Sequence, residues 1–207
     1  MGVKVVSRPP DYGKTLGAGL APVMKKTAMY LQSSANRKIN SGIKPANAPL
    51  TQAVKQGSQT LHDSGELTQS IAPHSGELWA DASTNLKYAH IQQEGGTITP
   101  KKSGALYIPA GTKTRELMRT YGARTPRALI NVMKADGYVF FKAGRVFFAY
   151  KKSTGKNGKR GKEFALFIIS SSVKIPARPF LYIDEKDEEY IMKLIQQGVM
   201  NALKGKV

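Results

Sequence analysis

Apolar positions recur at helical spacing soon after the start of the chain. Leu20, Val23, Met24, Ala28, Leu31 and Ala35, with Thr27 among them, share one stripe that runs on to Ile39. Side chains on one helix face return about every 3.6 residues, so this spacing predicts a long helix from Leu16 that stops before Ser41-Gly42. A second stripe closes the chain: Ile191, Leu194, Ile195, Val199, Ala202 and Leu203. Asp184 is placed to cap that helix, with Asp187 at its third position. Acids crowd its start and Lys204 and Lys206 lie at its end, both complementary to the helix dipole.

Between the two helices the period changes. Residues 41–60 are polar, with a short helix predicted around Leu50 to Lys55. Asp63-Ser64-Gly65-Glu66 reads as a capping box opening a short helix that buries Leu67 and Ile71 and stops at Pro73. Leu78, Ala80 and Ala82 then alternate with Glu77, Trp79 and Asp81, the period-two signature of a strand. Asn85 to Gly96 reads as a connection ending in a double glycine. Thr97 to Thr99 and Ala105 to Pro109 predict short strands. Thr114 to Tyr121 and Arg127 to Lys134 predict short helices, Pro126 suiting a first helical position. Tyr138 to Lys142, Arg145 to Tyr150 and Phe164 to Val173 are rich in β-branched and aromatic residues and predict strands. Ala143-Gly144 joins the first two in a hairpin. The expected fold is α+β: a mainly antiparallel β-sheet packed with a long N-terminal helix and a C-terminal helix. An extended N-terminal arm is expected over 1–13, then a single domain over 14–207 with a possible insertion at 111–165.

Composition adds charge to this picture. The 207 residues are 41% hydrophobic, enough for a core, and carry a formal net charge of +18. Lys151, Lys152, Lys156, Lys159, Arg160 and Lys162 fall in one twelve-residue loop, 151–162, without an acid. Such a loop is commonly a solvated hairpin tip; it is also a candidate contact for polyanions or acidic partners. Phe147, Phe148, Tyr150 and Phe164 flank it, a pattern compatible with phosphate contact plus base stacking, although strand alternation puts about half of them in a core.

Catalytic readings find little support. There is no cysteine, hence no disulfide, thiolate site or cysteine nucleophile. Gly13-Lys14-Thr15 lacks the upstream glycine of a phosphate loop, since position 8 is Arg8. His62, His74 and His90 fall in no metal spacing. His90 and Glu94 are four apart in a segment whose glycines oppose a long helix. The acids from Asp184 to Glu189 suit capping better than acid–base work. The longest apolar run, around Ala165 to Ile169, is far short of a membrane span, and the first residues lack an apolar signal core. A protein acting inside a cell, without enzymatic activity, cofactor, metal or membrane partner, is expected.

Three segments carry a family resemblance. "LHDSGELTQSI" (Leu61 to Ile71) resembles the L-x-D-T/S-G-x-L-x-x-S-I segment of the phage virion morphogenesis family, the tail completion proteins of Mu-like and P2-like phages. "NLKYAHIQQEGG" (Asn85 to Gly96) is similar to its N-x-x-Y-A-x-I-H-x-x-G-G segment, and "IPARPFL" (Ile175 to Leu181) to its I-P-A-R-P-F-L segment. "PANAPLTQAVKQGSQTL" is similar to the stretch before the first motif, with Ala48 where the family often has tryptophan. In outline the resemblance spans Leu16 to Leu203.

The resemblance implies a structural virion protein at the head-proximal end of the tail, assembled in the host cytoplasm. Such proteins commonly form rings, often hexamers, between the tail tube and the head connector. Asp63, Gly65, Leu67, Tyr88, Gly95, Gly96, Pro176, Arg178, Pro179 and Phe180 become candidate fold-forming or assembly residues. Gly65 is expected at a tight turn into a helix, Tyr88 and Gly95-Gly96 at a bend abutting a neighbour, and Arg178 paired with a carboxylate. The arm and the basic loop suit reaching a neighbouring subunit. DNA in the channel or acidic neighbours would account for the charge. A head-side neck or stopper protein, and a nucleic-acid-binding protein using the basic loop, stay open as alternatives.

Overall fold

The N-terminal stripe folds as α1 (Gly13–Asn40). Leu20, Met24, Thr27, Ala28, Leu31, Ala35 and Ile39 are all buried, and Val23 half-buried. The computed structural model describes residues 13–55, 59–101, 104–152 and 161–204. The expected arm (apart from Gly13), Lys156, Lys159, Arg160 and Lys206 lie outside the described residues.

The elements that follow are α2 (Pro49–Val54), α3 (Glu66–Ser70), β1 (Ala72–Ser75), β2 (Ala80–Ser83), α4 (Ala89–Glu94), β3 (Gly96–Ile98) and β4 (Leu106–Pro109). Then come α5 (Thr112–Thr120), α6 (Pro126–Ala135), β5 (Tyr138–Ala143), β6 (Val146–Lys151), β7 (Phe164–Ser170), β8 (Val173–Ile175) and α7 (Glu185–Leu203). The class is α+β, as the periodicities predict, and the strand ladders whose register is defined are antiparallel.

The chain divides into two compact units. The first comprises 1–46, 59–96 and 175–207; the second comprises 47–58 and 97–174. The segment expected as an insertion, 111–165, falls within the second. The chain passes between the units four times, at residues 46–47, 58–59, 96–97 and 174–175.

In the first unit α1 packs on α7 and on the β1–β2 hairpin. A side chain at Gly198 would collide with Val23, so the absence of a Cβ sets how closely the two helices meet. One apolar cluster joins Leu31, Ala35 and Ile39 of α1 to Leu67, Ile71, Ala82, Ala89, Phe180, Leu181 and Ile191. α7 opens with the expected capping box: the Asp187 amide donates to Asp184 Oδ1 (2.9 Å) and the Asp184 amide to Asp187 Oδ2 (3.3 Å).

In the second unit, β4, β7, β6 and β5 form a four-stranded sheet in that order. Phe140, Phe147 and Phe167, from one of its faces, pack with Leu129 and Met133 of α6 and Leu117 of α5. Phe141, Phe148 and Tyr150 lie on the other face, with Phe141 and Phe148 stacked at 5.2 Å. Thr125 caps α6 by accepting from the Ala128 amide, and Pro126 takes the first turn as its fixed φ favours.

Four local expectations are corrected. The first capping box does not form: α3 begins at Glu66, and its cap position is Gly65, in a left-handed conformation (φ +80°) with no side-chain bond. Asp63, two residues further out, is not the cap. Ala80, Asp81 and Ala82 are all buried, so β2 does not alternate as predicted; β1 ends at Ser75, and the Gly76 amide donates to Trp79 O across the turn between the strands. Asn85 to Gly96 is more than a connection, since it contains α4. The strand expected from Phe164 to Val173 breaks after Ser170, whose hydroxyl donates to Ser172 O (2.6 Å), a local bond that competes with ladder pairing.

Candidate functional site

The three motif segments, far apart in sequence, meet in the first unit. Leu67 and Phe180 are buried in the same apolar cluster. The α4 segment lies against 175–181 through two adjacent glutamines. Gln93 Oε1 accepts from the amides of Phe180 (2.9 Å) and Leu181 (3.0 Å), while its Nε2 donates to Leu181 O (3.0 Å). The Arg178 amide donates to Gln92 O (2.8 Å). Gly95 ends α4 at φ +74°, and a Cβ there would lie 2.6 Å from Ala177 N and 2.9 Å from Ile175 O. Both constraints require glycine: the left-handed backbone and the close approach of a second chain segment. Gly96 follows at φ +149° as the first residue of β3.

Arg178 is 6% exposed. It does not pair with a carboxylate as expected. Its Nε donates to Pro45 O (2.8 Å), one terminal nitrogen to Ala46 O (3.1 Å) and the other to Gln92 Oε1 (3.3 Å). Burial pulls its pKa down from the usual guanidinium value. The planar fork suits three acceptors converging from two segments, and Pro176 and Pro179, both exposed, bracket it in an extended stretch. Tyr88 is 40% exposed, and its hydroxyl donates to Glu66 Oε2 (3.4 Å), linking the first and second motifs. Burial, then the Glu66 charge, raise its pKa. Asp63 is exposed.

A second buried polar cluster joins α1 to α7. Asp187 accepts from Tyr30 Oη (2.9 Å), Ser34 Oγ (2.7 and 2.8 Å) and Lys38 Nζ (2.5 Å). Burial pushes its carboxyl up, but the bonds from Lys38, Ser34, Tyr30 and the Asp184 backbone outweigh burial and hold it at about 2. Sequence reasoning assigned Asp187 a cap role and missed these partners. Tyr30, Ser34 and Lys38 are four apart on one helix face, a visible signal, but nothing in the sequence pointed that face at residue 187. Gln92 and Gln93 stood inside a quoted motif without periodicity to mark them.

The basic region belongs to the second unit. Lys113 Nζ sits 3.8 Å from the centre of the Phe164 ring, and Phe164 meets Tyr138 edge-on at 6.4 Å. Lys151 lies 5.4 Å from the Tyr138 ring centre and pairs with Asp136 (3.1 Å). The Gly161 amide donates to Lys151 O, which brings the two ends of the basic loop together. Lys152 and Lys162 are exposed there. Of the flanking aromatics, Phe147 and Phe164 pack against the core, as alternation predicts.

Neither region forms a catalytic constellation. Arg178 is aimed at two backbone carbonyls and the Gln92 side chain, and the Asp187 carboxylate is already engaged by Tyr30, Ser34, Lys38 and the Asp184 amide. His90 and Glu94 approach at 3.7 Å on the exposed face of α4. Among the described residues no group of three or more His, Asp or Glu side chains could hold a metal ion, and no helix is long and apolar enough to cross a membrane.

The model of the phage virion morphogenesis family matches residues 12–129, more than half the chain. The match takes in α1 and the first two motif segments; the third, at 175–181, lies beyond it and is joined to the second by the contacts of Gln92, Gln93 and Gly95. No curated protein and no solved structure matches the chain.

Proposed function

The chain belongs to the phage virion morphogenesis family, and from that membership we propose that it is a tail completion or terminator protein. It acts without catalysis, closing into a ring at the head-proximal end of the tail and joining the tail tube to the head connector. The observation that carries this reading is the family match over residues 12–129. The motif geometry is consistent with it: Gly95, Arg178 and Phe180 hold a subunit together and leave no open reactive site. Met29 (54% exposed) on α1 and Tyr190 (45%), Met192 (49%) and Met200 (52%) on α7 supply apolar surface for a neighbour. A heterologous contact that closes under rotation caps a tube instead of extending it.

The test is assembly. Purified protein, sized by light scattering and imaged with isolated tail tubes, should form a closed ring seated on the tube end; six subunits are expected. A persistent monomer that ignores tubes would sink the proposal. A ring that binds head connectors but not tubes would favour the head-side neck or stopper reading.

A further inference from the structure

The two units divide the charge very unequally. The second contains 18 lysines and arginines against three acids, a formal +15, while the first contains 14 against 11, a formal +3. Solubility alone does not call for this partition, because both units are of comparable size and one holds five times the net charge of the other.

The placement of the charges is also locally unfavourable. Helix N-termini favour acids, and α7 follows that rule with Glu185, Asp187 and Glu188 in its first turn. α5 and α6 have no acid in theirs, and exposed Lys113 and Arg115 stand near the start of α5 and Arg127 near the start of α6. Positive side chains are thus added to positive helix ends. The same local rule broken at the starts of both helices, in a unit with three acids against 18 basic residues, indicates a field kept for a partner.

The partner chemistry follows from what accompanies the lysines. At the base of the β6–β7 hairpin Lys152 and Lys162 are exposed, and exposed Lys113 of α5 lies over the ring of Phe164, the second residue after Lys162. Exposed ammonium groups in a unit this poor in acids match the regularly repeating phosphates of a DNA backbone, which are bound without regard to sequence. We infer that the second unit is a sequence-independent DNA-binding module, with Lys113, Lys152 and Lys162 at its centre. The inference is independent of ring formation: a monomer or a ring could bind DNA, and a ring could seat on a tube without DNA.

The test uses the full chain and a labelled random-sequence DNA duplex, read by fluorescence anisotropy between roughly 50 and 200 mM salt. The unaltered protein should bind with a log–log salt slope of at least about −3, since each phosphate contact contributes about −0.9. The triple variant Lys113→Gln, Lys152→Gln, Lys162→Gln should flatten that slope by about 2–3 units. A matched variant of the first unit, Lys25→Gln, Lys26→Gln, Lys193→Gln, removes the same charge and should flatten it by less than about one unit. Equal losses from both triples would reduce the effect to net charge and overturn the assignment, as would failure to bind DNA at low salt. Binding as tight to vesicles of anionic phospholipid would overturn nucleic acid as the partner. Lysine acetylation read by mass spectrometry on the unaltered protein serves as an arm needing no variant. DNA should protect Lys113, Lys152 and Lys162 but not Lys25, Lys26 or Lys193, and unchanged labelling at the first three would reject the site.

Discussion

Arg178 and Lys152 are both cations, yet the units that hold them use charge in opposite ways. In the first unit Arg178 is buried and its three donor groups are spent on Pro45, Ala46 and Gln92. Lys38 is likewise spent on Asp187 and on Tyr182 O. Charge there determines which segments touch. In the second unit the buried cluster is built from apolar side chains, Leu129, Met133, Leu166 and Phe167 among them. Lys152 and Lys162 stand outside it. A buried charge without partners is costly, so its partners are tightly specified; an exposed one tolerates change and acts at a distance. Polar substitutions should therefore damage folding in the first unit and chiefly alter long-range attraction in the second.

The largest effect expected from a substitution that tests this contrast is at Gly95. Gly95→Ala meets both a left-handed backbone and the 177 amide at 2.6 Å, and should destabilise by about 3–4 kcal/mol. Gly42→Ala is the control: φ is +85° but nothing lies within 4 Å of the added Cβ, so about 1 kcal/mol is expected. Thermal unfolding by circular dichroism separates them; equal losses would mean that close packing of the motifs contributes nothing.

Arg178→Met keeps the length and removes every donor. It should cost about 3 kcal/mol by leaving buried carbonyls unpaired, a fall in Tm of roughly 6–12 °C for a chain of this size. Arg178→Lys, which cannot fork, should recover only part of it.

Asp187→Asn should cost about 2 kcal/mol near neutral pH, from a carboxyl held at about 2 instead of its ordinary 3.8. The sign follows from the lowered value. The contribution is fully present above about pH 4 and is lost as pH falls towards and through 2. Urea unfolding of the two proteins should differ at pH 6 and converge near pH 2.

In the second unit the polar effects should be smaller. Thr114 is fully buried, and its hydroxyl donates to Leu166 O (2.7 Å), which also accepts from the Ala110 amide. Thr114→Val should cost only about 1 kcal/mol by urea unfolding, because that carbonyl keeps a donor. Smallest of all, Asp136→Asn at the surface should leave Tm within about 2 °C. The hydrogen bond from Tyr121 to Asp136, together with burial, raises the tyrosine's pKa to about 12. The same variant should return it towards 10, measured by ultraviolet titration. A large loss of stability from Asp136→Asn would break the contrast between the units.

The sequence by itself determined most of the local structure, because local structure depends on near neighbours. The stripe from Leu20 to Ile39 required a helix, Asp184 and Asp187 stated the last cap, and Pro126 marked the start of α6. The aromatic runs after Tyr138 became a sheet. Where two local options were close in energy, the reading failed. Asp63 and Glu66 had the chemistry of a capping box, but Gly65 took the cap position in a left-handed turn. Asp81 looked outward-facing by alternation and is buried.

Tertiary structure alone decided what long-range contacts create. Arg178 fits a carboxylate or a set of carbonyls equally well in sequence; only the return of residues 45–46 and of α4 to its side made the choice. Tyr30, Ser34 and Lys38 formed a visible face, and only the packing of α7 on α1 supplied Asp187 to it. The total charge of +18 was plain from composition. Its concentration in one unit was not, because that unit is assembled from residues 47–58 and 97–174, and chain order does not reveal which segments share a core.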